Sequence, residues 1–262
     1  MSAREIKLAK ARNLVFANLI LFSALTAVQA ADQLPAAVKA LQAQGLEVAG
    51  ELPDQAGLKV YGAYSGQRTF SLFVTPDGKN VIIGSMFDAD GKNISAEPLR
   101  SAVAKPLSQQ TAEELAKSTW VIDGRPEAPR VIYAFTDPNC PFCHKFWEQS
   151  RPWVDDGLVQ IRHVMVGILR ESSPGKAAAI LASADPARAL AEHESSLAQG
   201  GIAALKNIPL DKQAELMANQ SLMSELGAQA TPAIFYPDEA GNLKMQMGAP
   251  TEANLEKILG KR

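Results

Sequence analysis

The strongest constraint on the fold is the spacing of the chain's only two cysteines, Cys140 and Cys143. A buried strand is predicted over residues 131–136 and a helix over residues 140–155, so the Cys-Pro-Phe-Cys motif opens a helix directly after a strand. The unpaired N–H groups and the dipole of a helix N-terminus stabilise an anion, which predicts a lowered pKa for the Cys140 thiol. Pro141 suits the first helical turn, and Cys143 lies one turn from Cys140. The motif predicts a redox pair in which Cys140 is the nucleophile and Cys143 resolves a mixed disulfide.

A structural disulfide is the alternative for this pair. In the chain-entropy model, closing such a short loop contributes only about 2 kcal/mol, against about 3 kcal/mol for a loop of fifteen residues. A reactive pair is therefore the better interpretation.

Residues 1–30 have the pattern of a secretory signal peptide, with cleavage after Ala30. An uncharged apolar segment ends in Val28-Gln29-Ala30 and follows a basic head formed by Arg4, Lys7, Lys10 and Arg12. An uncleaved anchor is the alternative, but a membrane span needs about 20 apolar residues and Asn18, Ser23 and Thr26 interrupt this segment. Export is expected, and oxidising compartments outside the cytoplasm allow disulfides to persist.

The rest of the chain divides by its hydrophobic pattern. A helix over residues 35–44 precedes four short strand patterns, at residues 46–52, 58–64, 68–75 and 81–88. Two helical pieces, at 98–104 and 111–120, are predicted within a linker over residues 92–124. The strand at 131–136 and the helix at 140–155 come next. The pattern then predicts a strand at 159–166, helices at 175–183, 186–199 and 211–226, strands at 233–236 and 243–247, and a helix at 251–259. This order predicts a mixed α+β and α/β chain with a βαβ unit at the cysteine motif.

The strand, Cys-x-x-Cys, helix, strand order and a later Thr231-Pro232 before a hairpin resemble the thioredoxin fold. The resemblance implies that Pro232 is a cis-proline against the cysteine pair and that Thr231 docks an extended substrate, with Pro141 and Phe142 also contacting it. Pro152 matches the proline that kinks the active-site helix. Where thioredoxin has a buried acid six residues before the first cysteine, this chain has Ala134, so another group must deprotonate Cys143.

The chain also resembles the DsbC/DsbG family of periplasmic thiol–disulfide interchange proteins over its whole length after residue 30. The resemblance lies in five segments, which are Leu34-Pro35-Ala36-Ala37-Val38-Lys39, Thr75-Pro76-Asp77-Gly78-Lys79, Asp137-Pro138-Asn139-Cys140-Pro141-Phe142-Cys143, Ala177-Ala178-Ala179-Ile180-Leu181-Ala182-Ser183 and Ala230-Thr231-Pro232-Ala233-Ile234. The lack of a second cysteine pair and the Cys-Pro-aromatic-Cys core favour the DsbG branch. The resemblance implies a cystatin-like dimerisation domain over residues 31–91, a helical linker over 92–124, and a thioredoxin-like domain over 125–262 with a helical insertion at about 170–226.

The family implies a homodimer that works in its reduced form, without a dissociable cofactor or metal. Its activities would be disulfide isomerisation, reduction of sulfenylated single cysteines in exported proteins, or both, with chaperone-like client binding and recycling by a membrane reductant resembling DsbD. A DsbA-like disulfide oxidase and a non-catalytic periplasmic chaperone are the alternatives. Asp137 is expected to be a helix-entry or loop residue, with a catalytic role as the minor alternative.

Other classes have less support. Cys140, Cys143 and His144 also fit the attachment motif of c-type haem, but a buried strand leading into the motif favours thioredoxin. A zinc site with His144, His163 or His193 would lack a second closely spaced ligand pair. A net charge of −2 gives no basic footprint, so nucleic acid is not an expected partner.

Overall fold

A helix and a small sheet open the part of the chain that the computed structural model describes, residues 34–262. The predicted signal peptide lies outside the described residues. Helix α1 (Ala36–Ala43) ends before Gly45, whose φ of 95° is the left-handed conformation that favours glycine after a helix. Strands β1 (Glu47–Gln55), β2 (Leu58–Ser65), β3 (Arg68–Val74) and β4 (Val81–Gly84) follow. They form an antiparallel sheet in the order β1-β2-β3-β4, which confirms the four predicted strands, although β4 ends at Gly84 and not at residue 88 as predicted.

One long helix follows the N-terminal sheet. Helix α2 (Ala96–Lys117) runs for 22 residues with Pro106 inside it. The predicted split into helices at 98–104 and 111–120 is wrong. A proline removes one backbone donor from a helix, but packing on both sides of it keeps α2 continuous, since Val103 and Leu115 are buried. Leu99 and Ala102 pack toward Leu52 and Val60 of the N-terminal sheet.

The second sheet has five strands, in the order β5-β7-β6-β8-β9. They are β5 (Trp120–Asp123), β6 (Arg130–Thr136), β7 (Val159–Met165), β8 (Ala233–Pro237) and β9 (Leu243–Met247). The pair β6 and β7 is parallel and the other pairs are antiparallel. Residues 120–123, predicted to belong to the linker, form the edge strand β5. A run of four residues shows too little periodicity for a strand to be recognised from the sequence.

Five helices surround this sheet. Helix α3 (Pro141–Asp155) connects β6 to β7, and α4 (Ser173–Leu181), α5 (Pro186–Ser195) and α6 (Leu210–Glu225) form the predicted insertion between β7 and β8. Helix α7 (Glu252–Leu259) ends the chain. One face of the sheet forms a core with α3 and α7 around Ile132, Phe146 and Ile258. Among the helices of residues 34–262, none has the length and hydropathy that a bilayer crossing requires.

Candidate active site

The Cys-Pro-Phe-Cys motif lies where the central strand β6 leads into α3. Cys140 is the N-cap residue of α3, and Pro141 takes the first helical position. The backbone N–H of Cys143 donates to the Cys140 sulfur over 3.2 Å, and the Cys140 thiol donates to the carbonyl oxygen of Thr231 over 3.3 Å. Cys140 and Cys143 are both free thiols, 3% and 2% exposed. The predicted placement of the pair at a helix N-terminus is confirmed.

The two thiols differ in acidity. The Cys143 side chain hydrogen-bonds the Cys140 sulfur and, together with the Thr231 side chain and the N–H groups of Cys143 and Phe142, lowers the pKa of Cys140 from 9.0 to about 6 against the opposing effect of burial. Burial, followed by the neighbouring Cys140 sulfur, raises the pKa of Cys143 well above 9.0. Near neutral pH the site therefore holds a thiolate at Cys140 and a protonated thiol at Cys143.

The loop before β8 faces the cysteine pair. The peptide bond between Thr231 and Pro232 is cis, as the resemblance to thioredoxins implies, and both residues are buried. The carbonyl oxygen of Pro232 accepts a hydrogen bond from the N–H of Gly248 over 2.8 Å, which anchors the loop. The structure thus brings Thr231 next to the Cys140 sulfur.

The surface around the motif is apolar. Phe142 is 58% exposed, and Pro141 beside it is exposed as well. Ile168 and Leu169, in the loop after β7, are also partly exposed. A client that brings a sulfur to Cys140 would meet this apolar surface.

Asp137 connects the active-site loop to the loop after β7. Its buried carboxylate accepts four hydrogen bonds, from the N–H groups of Asn139, Ile168 and Leu169 and from the Ser173 hydroxyl, at 2.7 to 2.9 Å. These donors occupy the accepting positions of both oxygens. The contacts favour the loop-anchoring interpretation of Asp137 over a catalytic one.

The position of the acid that thioredoxin carries is apolar here, and a buried polar network lies beside it. Ala134 is paired in register with His163 of β7, whose Nδ1 lies 2.8 Å from the Thr136 hydroxyl and whose Nε2 lies 3.4 Å from Asp123. Arg151 of α3 binds the same carboxylate. Burial opposes ionisation of Asp123, but the hydrogen bonds from His163 and Arg151 hold its pKa below the usual value. This network was not predicted from the sequence, although a histidine inside an apolar strand is a visible signal.

The three histidines are held by protein groups. His144 Nδ1 lies 2.9 Å from Glu194, His163 binds Thr136, and His193 Nε2 lies 2.7 Å from the carbonyl oxygen of Pro138. Within residues 34–262, no group of three or more His, Cys, Asp or Glu side chains is arranged to hold a metal ion. Both cysteine residues are buried against the fold, at 3% and 2% exposure, which favours the redox interpretation over haem attachment.

The fold and the site together define a thiol–disulfide oxidoreductase of the thioredoxin superfamily. The family model of the thioredoxin-like domain matches residues 122–262. Crystalline ScsC of Proteus mirabilis in a transitional conformation shares this fold, with a TM-score of 0.50 and 23% identity over 60% of this chain and 78% of that one.

Two relatives that match this chain over most of their length show to which family of the superfamily it belongs. The thiol:disulfide interchange protein DsbG of Pseudomonas aeruginosa is 46% identical over 89% of this chain and 91% of its own. DsbG of Escherichia coli strain K12 is 36% identical over 94% of this chain and 99% of its own. DsbC of Salmonella typhimurium is 34% identical over 37% of each chain. The chain belongs to the DsbG family of thiol:disulfide interchange proteins.

Proposed function

We propose that this protein acts in the periplasm in its reduced form, as a disulfide isomerase, as a reductase of sulfenylated single cysteines in exported proteins, or as both. The observation that carries the proposal is the contrast between Cys140, whose pKa is lowered to about 6, and Cys143, whose pKa is raised. A stabilised Cys140 thiolate favours the dithiol state over the disulfide. It also makes Cys140 a good leaving group, which an isomerase needs to release its client.

The reaction with a client disulfide begins when the Cys140 thiolate attacks one client sulfur. The client S–S bond breaks, a mixed disulfide forms, and the second client sulfur leaves as a thiolate. In isomerisation, a client thiolate attacks the client sulfur of the mixed disulfide and restores Cys140. In reduction, Cys143 gives up its proton and attacks Cys140, so the client leaves reduced and the cysteine pair becomes a disulfide.

The reaction with a sulfenic acid uses the same groups. The Cys140 thiolate attacks the client sulfur, the S–O bond breaks, and the oxygen leaves as water after taking up a proton. Cys143 then resolves the mixed disulfide as before. Both reductive routes leave the Cys140–Cys143 disulfide, which a membrane reductant resembling DsbD would return to the dithiol. Thr231, Pro232, Pro141 and Phe142 are proposed to contact the client, and their position around Cys140 supports this.

We also propose that the N-terminal sheet forms a homodimer, as part of a dimerisation domain over residues 31–91. Strand β4 is the last strand of its sheet, and Ile82 and Ile83 on it are 59% and 50% exposed. Phe87, just beyond it, is 60% exposed. An exposed apolar edge strand is a surface that another chain can cover by strand pairing. The resemblance to the DsbC/DsbG family implies that such a dimer encloses a cleft, where we propose that unfolded clients are held.

The redox state in the periplasm tests the direction of the reaction. Cells are quenched with acid, free thiols are labelled with a mass tag, and the protein is separated on a gel. We expect Cys140 and Cys143 to be mostly reduced, as an isomerase or reductase requires. A mostly oxidised pair would overturn this proposal in favour of a DsbA-like disulfide donor.

Replacement of both cysteines tests the non-catalytic alternative. If holding of unfolded clients is the only role, the double variant Cys140→Ser, Cys143→Ser keeps the full effect of the protein on client folding. Under our proposal it loses isomerisation and reduction, while any suppression of client aggregation remains.

A further inference from the structure

Two consecutive residues of the helical insertion contact both ends of the redox motif. His193 and Glu194 lie on α5 and are 0% and 2% exposed. The ring of His193 binds the carbonyl oxygen of Pro138, two residues before Cys140, over 2.7 Å. The carboxylate of Glu194 binds Nδ1 of His144, the residue after Cys143, over 2.9 Å. Ala189 and Leu190 of the same helix are buried as well, so apolar packing also holds α5.

The tautomer of His193 follows from its two partners. The N–H of Ile202 donates to Nδ1 over 3.0 Å, so Nδ1 carries no proton. The proton therefore lies on Nε2, which donates to the carbonyl oxygen of Pro138. A Cβ atom at Gly201 would lie 2.3 Å from Nδ1, so this position needs glycine. Burial also lowers the pKa of His193, which favours the neutral ring.

The residue that His193 holds lies in the turn that carries the nucleophile. The N–H of Cys140 donates to the carbonyl oxygen of Asp137 over 3.0 Å, which closes a turn with Pro138 inside it. This turn fixes the Cys140 sulfur 3.2 Å from the backbone nitrogen of Cys143, whose N–H donates to it. Hydrogen bonds weaken steeply when they lengthen or bend, so a small movement of the turn changes the stabilisation of a thiolate.

The contact on the other side of the motif is a buried carboxylate with one partner. A buried carboxylate requires a hydrogen bond, and Nδ1 of His144 supplies the contact for Glu194. Glu148 of α3 also faces His144, with its oxygen 3.4 Å from Nε2. Lys176 of α4 lies on the Pro138 side, where it donates to the Asn139 side chain over 2.9 Å.

We propose that His193 and Glu194 are positioning residues for thiol–disulfide exchange, which hold the two ends of the Cys-Pro-Phe-Cys motif so that the hydrogen bonds to the Cys140 sulfur keep their geometry. Neither residue touches the reacting sulfur. The inference rests on the proposed role of Cys140 as nucleophile. It assigns to the insertion a part in setting the reactivity of the cysteine pair.

Two substitutions of His193 separate its contacts. An Asn side chain reaches about as far as Nδ1 and can accept from Ile202 but cannot reach Pro138. A Gln side chain reaches about as far as Nε2 and can donate to Pro138.

The full-length reduced protein is alkylated with iodoacetamide from pH 4 to 9, and Cys140 labelling is followed by mass spectrometry. We expect His193→Asn to slow labelling at pH 6 by about three- to tenfold and to raise the midpoint, since a shift of one pKa unit changes the thiolate fraction by up to tenfold. His193→Gln should stay within about twofold of the unmodified protein.

Glu194 gives an independent test that does not depend on the folding of the His193 variants. Glu194→Gln keeps a hydrogen-bonding group and is expected to stay close to the unmodified protein, whereas Glu194→Ala should raise the midpoint. Glu192→Gln is the matched control, because Glu192 lies on the same helix with a side chain 68% exposed.

The outcomes are distinct. The inference is overturned if His193→Asn and Glu194→Ala keep the midpoint of the unmodified protein. It is also overturned if His193→Asn and His193→Gln slow the labelling of Cys140 equally and lower the thermal stability equally. Failure of the underlying assignment is seen separately. In that case Cys140 of the unmodified protein is labelled no faster at pH 6 than an ordinary cysteine.

Discussion

The two sheets of this protein differ in how they cover their apolar surface. The five-stranded sheet is covered on both faces, with Ile132 and Ile161 beneath α3 and α7, and Phe135 and Val164 beside α2 and α6. Its central strand β6 leads within four residues to Cys140, so the nucleophile is attached to a mostly buried strand. A site on such a support keeps its distances within narrow limits.

The N-terminal sheet is thinner. Its buried cluster centres on Leu52, Val60 and Phe73, while Ile82 and Ile83 of β4 stay exposed. A small sheet of this kind gains stability by pairing with another surface. Under the proposed function, the redox chemistry belongs to the five-stranded sheet and association to the N-terminal sheet.

Loss of the nucleophile should have the largest effect. We expect Cys140→Ser to lower disulfide reduction and isomerisation by at least about a thousandfold, because a hydroxyl at this position does not supply the thiolate. Assays with a scrambled client protein check this. The variant should keep the oligomeric state of the unmodified protein in analytical ultracentrifugation. Isomerase or reductase activity that survives in Cys140→Ser would mean that the assigned nucleophile is wrong.

A charge on the exposed edge of the N-terminal sheet should have the opposite effect, since it should weaken association and not the redox chemistry. We expect Ile83→Lys to weaken self-association by about a hundredfold, since it places an unpaired charge in an apolar interface. Sedimentation over a range of concentrations measures the change. Leu210→Lys is the matched control, because Leu210 is an apolar residue 82% exposed on α6. A variant at Ile83 that sediments like the unmodified protein would contradict the proposed interface.

The buried ion pair at Asp123 tests how strongly the five-stranded sheet depends on its polar network. We expect Asp123→Asn to lower the free energy of unfolding by about 2 kcal/mol, because Arg151 and His163 lose a charged partner in a mostly buried site. Urea unfolding at pH 7 measures this. Glu97→Gln, which removes an exposed ion pair with Arg100, should change stability by less than about 0.5 kcal/mol.

The sign of the pH dependence at Asp123 follows from its lowered pKa. The unfolded chain takes up a proton near 3.8, whereas the folded chain does so at a lower pH. The stabilisation is therefore present above pH 3.8 and is lost as the pH falls through the folded pKa. Asp123→Asn should lose part of this acid sensitivity, and equal losses in both proteins would rule out the assigned role of the pair.

The sequence predicted those parts of the molecule that depend on local pattern. The strand before Cys140 and the helix after it could be predicted because each has a signal within a few residues, whereas the cis-proline at Pro232 was implied by the resemblance to thioredoxins. Strand β5 could not, since its four residues gain their structure from pairing with β7. His193 was beyond prediction for a similar reason, because a separation of 55 residues from Pro138 leaves no periodic trace.

The pH profile of Cys140 should show the smallest but most specific effect. Because the folded pKa is lowered from 9.0 to about 6, the stability that the thiolate gives the reduced protein is fully present above pH 9 and is lost as the pH falls through about 6. Alkylation should accordingly be half-maximal near pH 6.

Cys143→Ala should raise this midpoint of Cys140 alkylation, because the Cys143 side chain supplies the largest stabilising hydrogen bond. Ile83→Lys should leave the midpoint unchanged if chemistry and association are separate. A shifted midpoint in Ile83→Lys would show instead that dimer formation reaches the redox motif, and a midpoint near 9 in the unmodified protein would remove the basis for assigning Cys140 as the thiolate.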